Sequence, residues 1–173
     1  GITARSLSVN FIIDDDNVDG TATLYQTLDI KDIGYSQKAN NHLGPGVEIC
    51  YRPEGWQFAN LYNEEACKKN LVTARDLIDD TVHGQKFKCF GPTEAQMKTI
   101  FALAWGLGEL FPNVPVEFPK LMNGTVDKNL LSKPLDYIGH VCHYNIDREK
   151  IDAIGLDVER IEKEAALRKR CGF

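Results

Sequence analysis

The residues best suited to chemistry lie in one short run near the C-terminal end of the chain. Two histidines, His140 and His143, flank Cys142, and Lys150 and Asp152 follow them. Imidazole and carboxylate groups bind Zn²⁺, and a cation close to them can stabilise a developing oxyanion. The run therefore contains each type of group that a hydrolytic zinc site requires. It predicts a centre that cuts an amide bond.

The five cysteines offer a second kind of chemistry, nucleophilic attack by a thiolate. Cys50 and Cys142 could act beside His143, but no oxyanion motif or supporting spacing accompanies them. Burial as small hydrophobic residues is therefore favoured for both. The number of cysteines is odd and no C-x-x-C pair is present, which argues against a disulfide framework and leaves room for one bridge.

Length and composition bound the fold and the partners. The chain has 173 residues, which fits a single domain, and 43% of them are hydrophobic, enough for a sizeable core. The net charge of −5 argues against a general nucleic-acid surface. No apolar run reaches the roughly 18 residues of a transmembrane helix, and no signal peptide is visible. Because the first residue is Gly1 rather than Met, we expect the N-terminus to have been cut or trimmed.

Hydrophobic periodicity places strands and helices around the candidate centre. The clearest helix covers residues 93–111, where apolar side chains recur at helical spacing after a capping residue, Thr93, and before Pro112. Strands followed by a long helix and a further strand predict a mixed α/β or α+β fold. The other predicted elements are strands over Ser8–Ile13, Thr21–Leu28 and Val47–Tyr51, a helix over Glu64–Ile78, a strand end at Tyr137–His140 and a charged helix over Val158–Arg170.

Three segments carry a family resemblance. The first is LSVNFIID at 7–14, continued by TLYQTLD at 23–29; the second is NNHLGPGVEI at 40–49; the third is HYNIDREKID at 143–152. In their order and spacing they resemble the zinc-dependent N-acetylmuramoyl-L-alanine amidases, the family that also contains the peptidoglycan-recognition proteins. The resemblance spans roughly residues 7–157 of the chain.

This resemblance implies a fold and a reaction. The fold would be a single amidase-like domain over residues 1–173, of the α/β class, with a mixed central β-sheet flanked by helices. The reaction would be zinc-dependent cleavage of the bond between N-acetylmuramic acid and the L-alanine of the stem peptide in peptidoglycan. Such an enzyme would work in the cell envelope, as a secreted protein or in a phage particle, because peptidoglycan lies outside the cytoplasm.

The resemblance also assigns roles to residues. His143 and Asp152 would bind zinc, Glu48 would activate the attacking water, and Lys150 would lie near the tetrahedral intermediate. The residues implied to bind the substrate are Tyr35 and Asn41. Three of the first four residues have a plainer alternative: His143 as a structural remnant, Glu48 as a solvent-facing strand residue, and Lys150 as a surface charge.

The third zinc ligand is where the chain departs from the family pattern. The family's first ligand is a histidine on a strand that precedes the hairpin, and Asn10 does not occupy that position. We expect the third ligand upstream of Gly1, or His140 in its place. On a strand, His140 and His143 would point to opposite faces, so a hydrogen-bonded, partly buried His140 is the favoured alternative. Catalytic zinc ordinarily takes three protein ligands and a water.

Two functions of different class remain open. The chain is either a zinc amidase, or a catalytically inactive protein of the same fold that binds muropeptide or serves as a structural component of a larger assembly. The expected partner in the first case and in the binding case is peptidoglycan, with no nucleic acid and no transmembrane segment.

Overall fold

The computed structural model describes residues 8–15, 20–35, 41, 44–55 and 74–171 of the chain. These residues form two small β-sheets and several helices, so their content is mixed α/β, in agreement with the sequence at that level. No helix in this part of the chain is long and apolar enough to cross a membrane.

A three-stranded mixed sheet carries one side of the site. Its central strand β1 (Phe11–Ile13) pairs antiparallel with β2 (Leu24–Gln26) and parallel with β3 (Val47–Ile49). The first and last side chains of β1 are buried and the middle one is partly exposed, the alternation of a half-buried strand. The parallel register sets Ile12 beside Glu48, which fixes the sheet face that Glu48 occupies. All three strands lie within the predicted strand segments and are shorter than predicted.

A two-stranded hairpin forms the second sheet. Strand β4 (Leu77–Val82) pairs antiparallel with β5 (Gln85–Phe90) through a turn at His83 and Gly84. Both turn residues have positive φ, 51° and 74°, as two-residue hairpin turns of type I′ require. The helix predicted over Glu64–Ile78 is wrong at its end, because its last two residues belong to β4. Its residues before 74 lie outside the described part. Pairing with β5 and the turn chemistry outweigh the helical spacing here.

The long helix α1 (Glu94–Leu110) confirms the predicted helix. Thr93 Oγ1 accepts a hydrogen bond from the Gln96 N–H at 3.1 Å, and the Gln96 side-chain oxygen accepts one from the Thr93 N–H at 3.1 Å, a capping box. The buried Gln96 amide also donates to the carbonyls of Asp14 and Cys50, at 2.8 and 3.0 Å. These two residues directly follow β1 and β3, so the N-terminus of α1 is tied to the ends of both strands.

The segment after α1 differs most from the prediction. The strand end expected at Tyr137–His140 is absent, and the His140 N–H instead donates to the Glu117 carbonyl at 2.8 Å. Gly139 has a φ of 147°, and a Cβ there would lie 2.7 Å from the same carbonyl oxygen. Because Gly139 leaves the strand conformation and fits closely against residue 117, the segment forms a loop–loop contact and no sheet.

A short 3₁₀ helix (Pro134–Asp136) and two α-helices complete the described chain. The short α2 (His143–Ile146) was not predicted, whereas α3 (Val158–Cys171) confirms the predicted C-terminal helix. Helix α3 packs on α1, where the Arg160 guanidinium makes two hydrogen bonds of 2.6 and 2.7 Å to the Glu94 carboxylate. One apolar core joins the sheets, the helices and the loops, built from Ile13, Val82, Cys89, Met97, Ile100, Phe101, Ala104, Phe118, Cys142, Tyr144, Ile154, Leu156, Val158 and Ile161.

Candidate functional site

A cavity of about 370 Å³ brings three of the predicted site residues together. Glu48 enters it from β3, His143 from the start of α2, and Asp152 from the loop that follows α2. Apolar side chains of α1 form another part of its wall. Residues almost a hundred positions apart in sequence therefore line one space, as the predicted site requires.

His143 and Asp152 form the closest pair in this cavity. The imidazole Nδ1 lies 3.3 Å from a carboxylate oxygen of Asp152, and the two side chains are 25% and 50% exposed. The Tyr144 N–H donates to the Asp152 carbonyl at 2.9 Å, so the backbones of the two segments are joined as well. The hydrogen bond with His143 lowers the pKa of Asp152 in spite of its burial, and the charges of His143 and Lys150 act in the same direction.

A buried asparagine holds His143 in place. Asn145 is 1% exposed; its amide donates to the carbonyls of Asp127 and Asn129 at 2.9 and 3.0 Å. Its side-chain oxygen accepts from the Cys142 N–H at 3.1 Å, which closes the first turn of α2. Every polar atom of this amide is therefore used to fix the turn that starts at His143.

Glu48 faces the same cavity, but its surroundings shift its pKa in the opposite direction to that of Asp152. The residue is solvent-exposed at the cavity edge, but protein atoms around its carboxyl group raise the pKa by desolvation, and the negative charge of Asp152 raises it further. The charges of His143 and Lys150 oppose this shift. A carboxyl group whose pKa is raised toward the working pH suits proton transfer.

Lys150 lies beside this group, on the exposed part of the loop. It does not line the cavity, but its positive charge lowers the pKa of both Glu48 and Asp152. Its backbone carbonyl lies 3.2 Å from Nε2 of His83 in the hairpin turn. The structure thus brings Lys150 near the two carboxylates without fixing its ammonium group between them.

His140 lines the cavity together with His143. Burial lowers the pKa of its imidazole, and its ring centroid is 5.6 Å from that of Phe118. His140 precedes α2 and His143 begins it, so the two histidines do not share a strand on which their side chains would point to opposite faces. Even so, across the described ranges no three His, Cys, Asp or Glu side chains are placed to hold one metal ion.

The two residues expected to bind substrate lie elsewhere. Tyr35 is 61% exposed and its N–H donates to Ser8 Oγ at 3.0 Å. Asn41 is half-buried. Neither is among the residues that line the cavity. Contact between these two residues and a substrate would therefore require a ligand that extends beyond the cavity.

Cys89, Cys142 and Cys171 are free thiols. Cys142 is buried, and burial raises the pKa of its thiol, which removes it as a ready nucleophile beside His143. Cys50 is half-buried. Cys67 lies outside the described residues.

Sequence reasoning missed Tyr51, which also lines the cavity. Its hydroxyl donates to the Ile154 carbonyl at 3.0 Å, and the Arg75 guanidinium lies 5.0 Å from its ring centre. Burial raises its pKa. The sequence offered one signal for Tyr51, its position directly after the strand that carries Glu48. The tyrosine is a support for the loop that carries Asp152.

No family model, no curated protein and no solved structure matches the chain. The site offers an imidazole nitrogen and a carboxylate oxygen 3.3 Å apart, a second carboxylate with a raised pKa, and a nearby lysine. Such a set can bind a cation, move a proton and stabilise an oxyanion, which are the three tasks of hydrolysis at an amide.

Proposed function

We propose that the chain is a zinc-dependent peptidoglycan amidase that cleaves the bond between N-acetylmuramic acid and the L-alanine of the stem peptide. The observation that carries this proposal is the meeting of Glu48, His143 and Asp152 around one cavity. These are the residues to which the resemblance to the amidase family gives the proton-transfer and metal-binding roles. The same proposal extends to an amidase-like fold and to work on the cell wall, outside the cytoplasm.

The donor pair fits zinc. Two ligand atoms held about 2.0–2.1 Å from a tetrahedral ion are about 3.3 Å apart. The Nδ1 of His143 and the carboxylate oxygen of Asp152 have this separation, 3.3 Å. The third ligand is proposed to come from outside the described residues, because His140 lines the same cavity but is not placed to share one ion with His143 and Asp152. When bound, zinc would polarise the scissile carbonyl and acidify a water.

The chain's own residues supply the remaining chemistry. Glu48 takes a proton from the attacking water and delivers it to the leaving amine of L-alanine, a task that its raised pKa suits. Lys150 stabilises the negative charge that develops on the carbonyl oxygen. Tyr35 and Asn41 are proposed to contact more distant parts of the muropeptide.

The test is cleavage of purified peptidoglycan by the zinc-loaded protein. Glu48→Gln keeps the size of the side chain and removes the base, so we expect cleavage to fall by about a hundredfold or more. Glu109→Gln on the exposed surface of α1 is the matched control and should cleave at the wild-type rate. Equal rates for the wild type and Glu48→Gln would overturn the assignment of Glu48, and no release of stem peptide by the wild type would overturn the enzyme.

A non-catalytic role is the second candidate. It is favoured by one observation: in the described part of the chain the cavity offers His143 and Asp152 as a ligand pair, whereas catalytic zinc takes three protein ligands. A protein of this kind would bind muropeptide, or hold a place in a larger assembly, without turnover. Metal-free protein that binds muropeptide in calorimetry and leaves it intact would support this alternative.

A further inference from the structure

We propose that Asp80 is a positioning residue: through it, the β4–β5 hairpin holds the 147–156 loop so that Asp152 meets His143. This inference rests on the proposed function for its catalytic meaning. Asp80 does not line the cavity and lies on β4, far from Asp152 in sequence. Its effect on the site is therefore indirect and acts through the backbone of the loop.

The first contact is a carboxylate–backbone hydrogen bond. One oxygen of Asp80 accepts from the Gly155 N–H at 2.9 Å, and both oxygens accept from the Lys128 ammonium at 2.6 and 2.7 Å. The side chains of Asp80 and Lys128 are 14% and 24% exposed, so this is a largely enclosed ion pair. Hydrogen bonds to a charged group in such a setting are stronger than neutral ones.

A second contact comes from the hairpin turn. Nε2 of His83 lies 3.2 Å from the Lys150 carbonyl, and the His83 N–H donates to the Lys128 carbonyl at 3.1 Å. The hairpin therefore touches the loop on both sides of Asp152, at residues 150 and 155. A continuous antiparallel ladder between β4 and β5 makes the hairpin a firm support.

Close backbone packing supplies a third contact. Gly155 has a φ of 79°, and a Cβ there would lie 2.6 Å from the Phe90 carbonyl oxygen at the end of β5. A Cβ on Gly91 would likewise lie 2.7 Å from the Gly155 carbonyl oxygen. The loop thus lies directly on the end of the hairpin, where only glycine fits. Release of Gly155 from Asp80 removes the side-chain contact that holds this packed end of the loop, three residues after Asp152.

The test compares neighbouring carboxylates of one strand. Asp80→Ala removes the support, whereas Asp79→Ala removes an exposed carboxylate whose partner is Lys88 at 3.1 Å on the same hairpin. In NMR spectra of the full chain without metal, we expect Asp80→Ala to lose the cross-peaks between the His143 ring and the Asp152 side chain. The Gly155 amide should exchange at least about tenfold faster than in the wild type. Asp79→Ala should keep both signals, and Asp80→Asn, which retains an acceptor for Gly155, should recover most of them.

Activity gives the second readout. In the zinc-loaded protein, Asp80→Ala should lower kcat for muropeptide cleavage by about tenfold with KM unchanged, since supports of metal ligands have effects of this order. Unchanged His143–Asp152 cross-peaks and an unchanged Gly155 exchange rate in Asp80→Ala would overturn the inference. Absence of cleavage by the wild type would overturn the proposed function alone, because the NMR comparison requires no turnover.

Discussion

The two walls of the cavity are built in different ways. Glu48 is placed by a strand whose register with β1 is set by the ladder of the sheet. His143 and Asp152 lie on a one-turn helix and a loop. Hydrogen bonds that join distant parts of the chain hold them, from Asn145 to Asp127, from Tyr51 to Ile154 and from Gly155 to Asp80. One wall is therefore fixed by regular secondary structure and the other by a few hydrogen bonds of long sequence separation. Single substitutions should damage the second wall far more than the first.

Asn145→Ala should have the largest effect on stability. It leaves two carbonyls and one N–H without their partner in a buried place, and we expect a loss of about 3 kcal/mol in the free energy of unfolding. Urea unfolding followed by circular dichroism measures the loss. Asn113→Ala, at an exposed asparagine outside this wall, is the control and should change stability by less than about 0.5 kcal/mol. Equal losses for the two variants would show that the loop wall does not depend on the buried amide.

Tyr51→Phe removes a single hydroxyl from the same wall. The hydrogen bond to the Ile154 carbonyl is lost while the ring stays, so stability should fall by about 1 kcal/mol. Tyr35→Phe, at an exposed tyrosine, should leave the unfolding midpoint unchanged. If both variants unfold at the wild-type urea concentration, the tyrosine does not support the loop.

The two carboxylates should show opposite pH dependence. The pKa of Asp152 is lowered below its ordinary 3.8, so its ionised form stabilises the fold above that pH, and the contribution disappears as the pH falls through the folded value. The pKa of Glu48 is raised above 4.5, so its ionisation costs stability as the pH rises through the folded value. Because Asp152 is half-exposed, its effect should be about 1 kcal/mol or less.

Unfolding free energies from pH 2.5 to 7 test this difference. Asp152→Asn should be less stable than the wild type at pH 6. This difference in the free energy of unfolding should disappear as the pH falls below about 3.8. The free energy of unfolding of Glu48→Gln should instead increase relative to that of the wild type as the pH rises above 4.5. Differences in unfolding free energy that stay constant with pH would mean that folding shifts the pKa of neither carboxyl group.

The difference between the two walls also explains which elements of the fold could be predicted from the sequence. The helix at 94–110 was predictable because its capping box and apolar spacing are local signals. The strand with Glu48 was predictable for the same reason. The loop at Gly139 and the turn at His143 were not, because the contacts that shape them join residues far apart in sequence, such as His140 with Glu117 and Asn145 with Asp127.

The residues of the site were easier to predict than their supports. Chemical type and spacing indicated His143, Lys150 and Asp152, and the family resemblance added Glu48. Asp80 carried no such signal: it is one of two adjacent aspartates on a strand, and its role follows only from its contact with the Gly155 N–H. A positioning residue acts through a partner that the sequence does not reveal, so it becomes visible only when the fold is known.

Mass spectrometry of muropeptide treated with the zinc-loaded protein shows directly whether the chain is an amidase. We expect two products, the intact stem peptide with a free amino group on L-alanine and a sugar fragment with a free lactyl carboxylate, and neither product with Asp152→Asn. Cuts at glycosidic bonds or within the stem peptide, or the same products at the same rate from Asp152→Asn, would contradict it.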